Sequence, residues 1–317
     1  MIVNGDQFTN ERTDVSIILV NYNTRTLTIQ CLHSIFEQTK NLSIEVLVVD
    51  NHSKDGTQQE IRQSFPKVIL IENEVNLGFG RANNLGIQRA KGKYLFFLNT
   101  DTLLLNNAVK MFFDFMEESS LFPLGGIGGV LLDEKKNMTH SSDQFPNKWE
   151  PIKSQFIGYF TKKYVSVQIK RELSQYSKDK SYVEVDYVTG ADLFVSKSLI
   201  EAFGGFDPNF FMYFEETDLQ YRMHAQGYKN AIINGPEIIH YQGSSDSKPR
   251  FSPAKRAMND RSMFYYFKKR AGVFGYYLFR VGYFLVKLPL LLDKRVPFSE
   301  RLRYQLFLLN HTHENTF

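Results

Sequence analysis

Cysteine is nearly absent from this chain. Cys31 stands alone among 317 residues, so no intrachain disulfide can form and no cysteine-rich metal site exists. Its apolar neighbours Ile29, Leu32, Ile35 and Phe36 make it a small core residue, and a reducing compartment suits such a chain. Met1–Asp14 lacks the apolar stretch of a secretory signal, so a cytoplasmic protein is the expectation. Internal repeats and low-complexity segments are lacking too. With 43% apolar and 23% charged residues, wholesale disorder is excluded, and the length suits one large domain or two modest ones.

Long unbroken apolar runs are also missing. Ala271–Leu292 has the length of a membrane span, but Arg280, Lys287 and Pro289 interrupt it. Each mid-span charge costs roughly 2.5–3.5 kcal/mol on insertion scales, which favours a helix lying in the headgroup plane. Its flanks are basic: Lys268, Lys269 and Arg270 before it, Lys294 and Arg295 after it. The alternative is a helical hairpin packing its aromatics on the protein body, and the same surface could serve a homodimer. Between Lys248 and Arg303 there are 14 Lys/Arg against 3 Asp/Glu, so a chain of +4 overall carries −7 elsewhere. This asymmetry concerns partners rather than fold. The density of Leu and Phe in the basic part speaks for membrane or protein contact and against nucleic acid.

Four short apolar runs are present: Val15–Val20, Glu45–Val49, Val68–Ile71 and Tyr94–Leu98. They suit strands buried on both faces of a parallel sheet. Helix-like stretches separate them at Thr24–Glu37, Gly56–Ser64 and Gly80–Ala90, which predicts an α/β fold. Beyond them the spacing predicts a helix over Asn106–Ser119 and strands over Gly125–Leu132, Val183–Val188 and Leu193–Val195. A short helix over Ser198–Ala202 follows, then a helix over Asp218–Gln226 stopped by Gly227, and strands Ala231–Ile233 and Glu237–His240. His140–Ser181 is polar, aromatic and weakly periodic, an inserted excursion.

Five constellations can carry chemistry. Asp50-Asn51-His52-Ser53 follows a buried strand, where open α/β sheets bind ligands. It is either a ligand contact or a turn that caps the next helix. Asn76-Leu77-Gly78-Phe79-Gly80-Arg81 opens a helix, with glycines that let backbone approach a phosphate. Asn83 occupies the third glycine position of a dinucleotide fingerprint, so that motif is excluded. Asn99-Thr100-Asp101 follows a strand and offers one carboxylate to a divalent cation, or is a plain surface turn. Glu215, Glu216 and Asp218 crowd the start of a helix. Acids are favoured there by the helix dipole alone, and their crowding also raises one pKa towards that of a useful base. His240 ends a strand, as a structural residue or a metal contact.

Together these pieces resemble the family-two glycosyltransferases of the GT-A fold, particularly the branch containing bacterial rhamnosyltransferases. The resemblance rests on VSIILVNYN (15–23), VVDNHSKDG (48–56), NLGFGRANNLGI (76–87), FLNTD (97–101), TGADLFVSKSLIEAFGGFDPNFFMYFEETDLQYR (189–222) and IIHYQG (238–243). It implies a GT-A catalytic domain over 15–243, with a nucleotide-binding half 15–101 and an acceptor half 102–243 that holds the excursion 140–181. A polar segment 1–14 precedes this domain, and a helical, basic C-terminal extension 244–317 follows it. Asn21, Asp50, Asn51, Asn76, Gly78, Arg81, Asn84, Asn99 and Asp101 would line the nucleotide sugar. Thr189, Gly190, Ala191 and Asp218 would line the acceptor.

Asn99 stands where the family's metal motif begins with Asp, so the resemblance gives Mg²⁺ or Mn²⁺ to Asp101 and His240. The Glu215-Glu216 pair takes the place of the family's acidic pair. Glu216 is then the catalytic base of an inverting transfer, with Glu215 in reserve. The implied donor is a nucleotide-diphosphate sugar, rhamnose first and hexose second. The acceptor is a glycan or lipid-linked oligosaccharide in bacterial surface polysaccharide synthesis, at the inner face of the membrane. Two rivals remain. A nucleotidyltransferase would need a glycine-rich loop after the first strand, where Asn21-Tyr22-Asn23-Thr24 has no glycine. A non-catalytic nucleotide-sugar or glycan binder would have no use for intact Asp101, Glu216 and His240.

Overall fold

The computed structural model of the chain describes residues 13–119, 123–154, 181–241, 253–294 and 296–309. The N-terminal segment 1–12, most of the expected excursion (155–180) and the stretch 242–252 around the expected boundary at 243 lie outside the described residues.

The four apolar runs form the centre. β1 (Val15–Asn21), β2 (Ile44–Asp50), β3 (Ile69–Glu72) and β4 (Tyr94–Leu98) pair in parallel in the order β3-β2-β1-β4. Successive side chains enter two different buried clusters. Ile17, Leu19, Val46, Val48 and Phe96 go to one, and Ile18, Leu47, Val49, Leu95 and Phe97 to the other. Burial on both faces is why these runs are continuously apolar instead of alternating. The helices α1 (Arg25–Gln38), α2 (Thr57–Ser64) and α3 (Phe79–Arg89) connect them.

The second half extends the sheet. Its elements are β5 (Thr102–Leu104), α4 (Ala108–Glu118), β6 (Leu124–Leu132), β7 (Ser142–Asp143), β8 (Tyr182–Val185), β9 (Tyr187–Val188), β10 (Asp192–Ser196), α5 (Lys197–Ala202), α6 (Glu215–His224) and β11 (Lys229–His240). The strand order is β3-β2-β1-β4-β10-β6-β11-β5, with β8 also on β11. Because β10 runs antiparallel to β4, its N-terminal end lies beside the C-terminal end of β4. This reversal brings the turn before β10 to the edge where ligands bind in such sheets.

Three expectations change in detail. Val183–Val188 divides into β8, paired to β11, and β9, paired to β7 in a second small sheet. The two strands expected over 231–240 are one strand, β11, whose register shifts around Gly235 at φ +114°. The helix expected from Asp218 begins at Glu215, so both glutamates sit in its first turn.

Past the sheet, α7 (Pro253–Arg270), α8 (Gly272–Lys287), a 3₁₀ turn (Leu288–Leu292) and α9 (Phe298–Leu309) form a helical layer. Phe264, Phe267, Phe279, Tyr283 and Leu308 build its core, and Phe210 of the α/β body packs into the same cluster.

Candidate active site

The C-terminal ends of β1, β2 and β4 lie along one edge of the sheet, with Asn21 in register with Asp50. Asp50 is fully buried. Its Oδ2 accepts from Asn21 Nδ2 at 2.6 Å, and its Oδ1 accepts from the Ser53 backbone N–H at 2.9 Å and Gln58 Nε2 at 2.7 Å. The Asn21 side-chain oxygen accepts from the Thr24 and Thr28 hydroxyls at 2.7 and 2.8 Å, and Thr24 reaches the Thr100 hydroxyl at 3.0 Å. A chain of hydrogen bonds therefore ties the end of β2 to the turn after β4. Of these threonines, Thr24 and Thr28 belong to none of the five sequence constellations. Their signal was spacing, since positions 24 and 28 lie one helical turn apart.

Asn51 and Asn76 shape the next loop. Asn51 donates to the Gly78 carbonyl at 3.1 Å and accepts from Asn73 Nδ2 at 2.8 Å, while Asn76 accepts from the Gly78 N–H at 2.9 Å. Gly78, at φ +83°, is where the chain enters α3. A Cβ there would lie 2.1 Å from the Phe211 carbonyl oxygen, which accepts the Phe79 N–H at 2.8 Å. At Gly80 a Cβ would meet Phe206 at 3.3 Å and Glu215 at 3.4 Å. These glycines thus permit the close approach of the acidic loop, residues 206–214, and of the helix that follows it. Arg81 and Asn84 serve the same seam. Arg81 Nε donates to the Pro208 carbonyl at 2.5 Å, and both amide atoms of Asn84 bond the Phe206 backbone at 2.8 and 2.9 Å.

On the other side of β4, Asp101 and His240 meet. The β5–β11 register pairs Thr102 with His240, the Tyr241 N–H bonds the Asp101 carbonyl at 2.9 Å, and His240 Nε2 lies 3.4 Å from Asp101 Oδ1. His240 Nδ1 is buried without a hydrogen-bond partner. Among the described residues no three His, Cys, Asp or Glu side chains gather into a metal cage. A carboxylate and an imidazole at a strand end nevertheless fit a divalent cation of the Mg²⁺ or Mn²⁺ type. Such ions take one or two protein ligands and complete their shell with substrate phosphates and water.

Ala191 links this corner to the acidic helix. Its carbonyl accepts the Asn99 N–H at 3.0 Å, and a Cβ on the preceding Gly190 would lie 3.6 Å from Glu216 Cδ and 3.7 Å from the Phe79 ring. Thr189, on the same turn, keeps a buried hydroxyl with no partner. The two glutamates part here. Glu215 is buried beneath α3 with Oε2 unpartnered. Burial, and then the neighbouring Glu216 charge, push its pKa well above the usual range. Glu216 is half-buried beside the 189–191 turn. Burial raises its pKa as well, opposed by backbone N–H groups that include that of Gly190.

Asp218 faces away from this space. It is fully buried, with Oδ2 2.9 Å from Arg222 Nε and Oδ1 2.7 Å from both Lys269 Nζ and Arg270 Nη2. Burial alone would raise its pKa, but the bonds from Lys269 and Arg270 outweigh that and hold it low. A fully buried carboxylate bonded to three cations, two of them on α7, anchors that helix to the body.

Comparison with known proteins adds the lineage. Residues 16–174 match the family model for glycosyl transferase family 2. An N-acetylglucosaminyl-diphospho-decaprenol L-rhamnosyltransferase of Mycobacterium tuberculosis is 26% identical over 217 residues, covering 65% of this chain and 69% of that protein. A poly(ribitol-phosphate) beta-glucosyltransferase of Bacillus spizizenii is 31% identical over 122 residues, 37% of this chain and 19% of that one. Among solved structures, a Pyrobaculum calidifontis mannosyltransferase in complex with GDP-Man and Mn²⁺ superposes with a TM-score of 0.55 at 17% identity. It covers 95% of this chain and 86% of its own. TarS of S. aureus gives 0.54 at 13% identity, over 94% of this chain and 43% of its own. Both likenesses bear on the fold.

Proposed function

Because the chain belongs to glycosyl transferase family 2, we propose that its cleft moves a sugar from a nucleotide-diphosphate donor to a hydroxyl of a glycan or lipid-linked oligosaccharide. The supporting observation is the chain of contacts running from His240 and Asp101, through Asn99 and Ala191, to Gly190 and Glu216. The Asp101–His240 pair and the Glu216 carboxylate thus adjoin the same turn before β10, which supports reading the one as a cation site and the other as a base.

In this reading the donor lies along the loops that Asn21, Asp50, Asn51 and Asn76 hold in shape. Asp101 and His240 would hold a divalent cation. When bound, that cation screens the charge on the departing diphosphate. Glu216 accepts the proton of the acceptor hydroxyl, whose oxygen attacks the anomeric carbon as the bond to the diphosphate breaks, with inversion. Thr189, Gly190 and Ala191 form the wall on the acceptor side. Glu216 is favoured over Glu215 because it stands beside that wall, while Glu215 lies beneath α3. Rhamnose is the first donor to try, since the mycobacterial relative is named for it, and a hexose the second. A role in bacterial surface polysaccharide synthesis belongs to the same reading, since the relatives are named for a diphospho-decaprenol and a poly(ribitol-phosphate) substrate.

The test combines a thermal-shift panel of dTDP- and UDP-sugars with Mn²⁺ and turnover of the best donor. Glu216→Gln is expected to keep the shift and to lose about 10²–10⁴-fold in turnover. Near wild-type turnover in this variant would remove Glu216 from the mechanism.

A further inference from the structure

The helical layer is apolar on its outer side. Along α8 and the turn after it, Phe274, Leu278, Val281, Leu285, Leu288 and Leu292 recur every three or four residues, and all are exposed, Phe274 by 82% and Leu292 by 79%. Leu302 and Leu306 continue the exposed face on α9. The two charges that interrupt this stretch in the sequence are turned inward. Arg280 is 6% exposed, donates to the Tyr276 hydroxyl at 3.2 Å and to the Leu308 carbonyl, and lies 4.1 Å over the Phe264 ring. Lys287 is 8% exposed, lies 4.8 Å from the Tyr283 ring and faces the buried carboxylate of Asp260.

We propose that this outer face of α8 and α9 lies flat in the headgroup layer of an anionic bilayer, and that it holds the acidic loop at the lipid surface. The inference deepens the transferase reading by naming the surface that meets the acceptor's membrane.

Charge selects the occupant. The exposed Lys268, Lys294 and Arg303 flank the apolar face. Of the acids among the described residues of this layer, Asp260 is buried, Asp293 half-buried and only Glu300 exposed. Such a rim is drawn to anionic lipid, whereas two copies of the chain would bring like charges together. Spanning is disfavoured because the inner side of α8 packs on α7, which would carry Lys268 and Lys269 towards the hydrocarbon. The same α7 reaches the site. Ser262 Oγ donates to the Met212 carbonyl at 2.7 Å, and Lys269 and Arg270 bind Asp218, two residues after Glu216.

Vesicle flotation of the full chain tests the surface. Strong binding is expected to phosphatidylglycerol/phosphatidylethanolamine vesicles and weak binding to pure phosphatidylcholine, with release by alkaline carbonate. The double variant Phe274→Asp/Leu285→Asp is expected to lose at least about tenfold in partition, since each apolar side chain removed from lipid is worth roughly that factor. Circular dichroism and donor hydrolysis in solution should both stay unchanged. Lys294→Glu/Arg303→Glu should weaken binding most at low salt. Wild-type chain that stays unbound, or a Phe274→Asp/Leu285→Asp variant that binds as before, overturns the proposal. So does resistance to carbonate, which means spanning, or a dimer abolished by the same variant without lipid binding. Vesicle binding without sugar transfer would instead count against the transferase reading alone.

Discussion

At the scale of single residues, the acidic pair shows how neighbours in sequence come to differ. Glu215 and Glu216 share a charge, a size and a helix turn, and consecutive helical side chains point about 100° apart. What lies opposite separates them: Gly80 of α3 for Glu215, Gly190 for Glu216. Glu215 also carries a prediction about stability. Its pKa is raised on folding, so its contribution is fully present below the ordinary glutamate value and is lost as pH rises through the folded value. Glu215→Gln should therefore flatten the fall of unfolding free energy with rising pH above the ordinary glutamate range. Urea denaturation across pH checks this, and curves of equal slope for both chains would exclude the effect. Asp192 and Asp260, buried with raised pKa values, keep some slope of the same sign in both.

At the scale of elements, the acidic loop is gripped from two sides. From α3, the Phe79 N–H and Asn84 bond its backbone. From α7, Lys269 Nζ lies 2.7 Å from both Asp207 and Asp218. Burial would raise the Asp207 pKa, but the Lys269 bond helps bring it down to about 2. Lys269→Ala leaves Asp218 with Arg222 and Arg270 and removes the bridge to Asp207. Losing a hydrogen bond to a charged group costs about 1–3 kcal/mol, and this loss should appear in the denaturation midpoint. An unchanged midpoint would mean the bridge is idle. The Lys268-Lys269-Arg270 run reads in sequence as a uniform basic flank, yet the ammonium of Lys269, itself an exposed residue, and the guanidinium of the half-buried Arg270 both bond the buried Asp218. Helical phase divides the run, and only packing assigns the phase to a partner.

At the scale of the whole molecule, the helical layer is part of the catalytic body's packing. Phe210 is buried against α7, and Asp218 draws two of its three cations from there. A chain ending before α7 should lose about 3–5 kcal/mol from the broken buried pairs alone, and its melting temperature should fall well below that of the full chain. Equal melting would show the layer to be an independent appendage. The sheet, the family and the positions of the polar clusters were legible in the sequence, because burial on both faces writes continuous apolar runs and strand ends carry the polar residues between them. The helical period of 271–292 was legible as well. Hidden were the inward aim of Arg280 and Lys287, the different surroundings of Glu215 and Glu216, and the use of Gly78, Arg81, Asn84 and Asp218 to join elements more than a hundred residues apart or to anchor α7. Each of these depends on which surface a side chain meets, and chain distance carries no record of that until the elements pack.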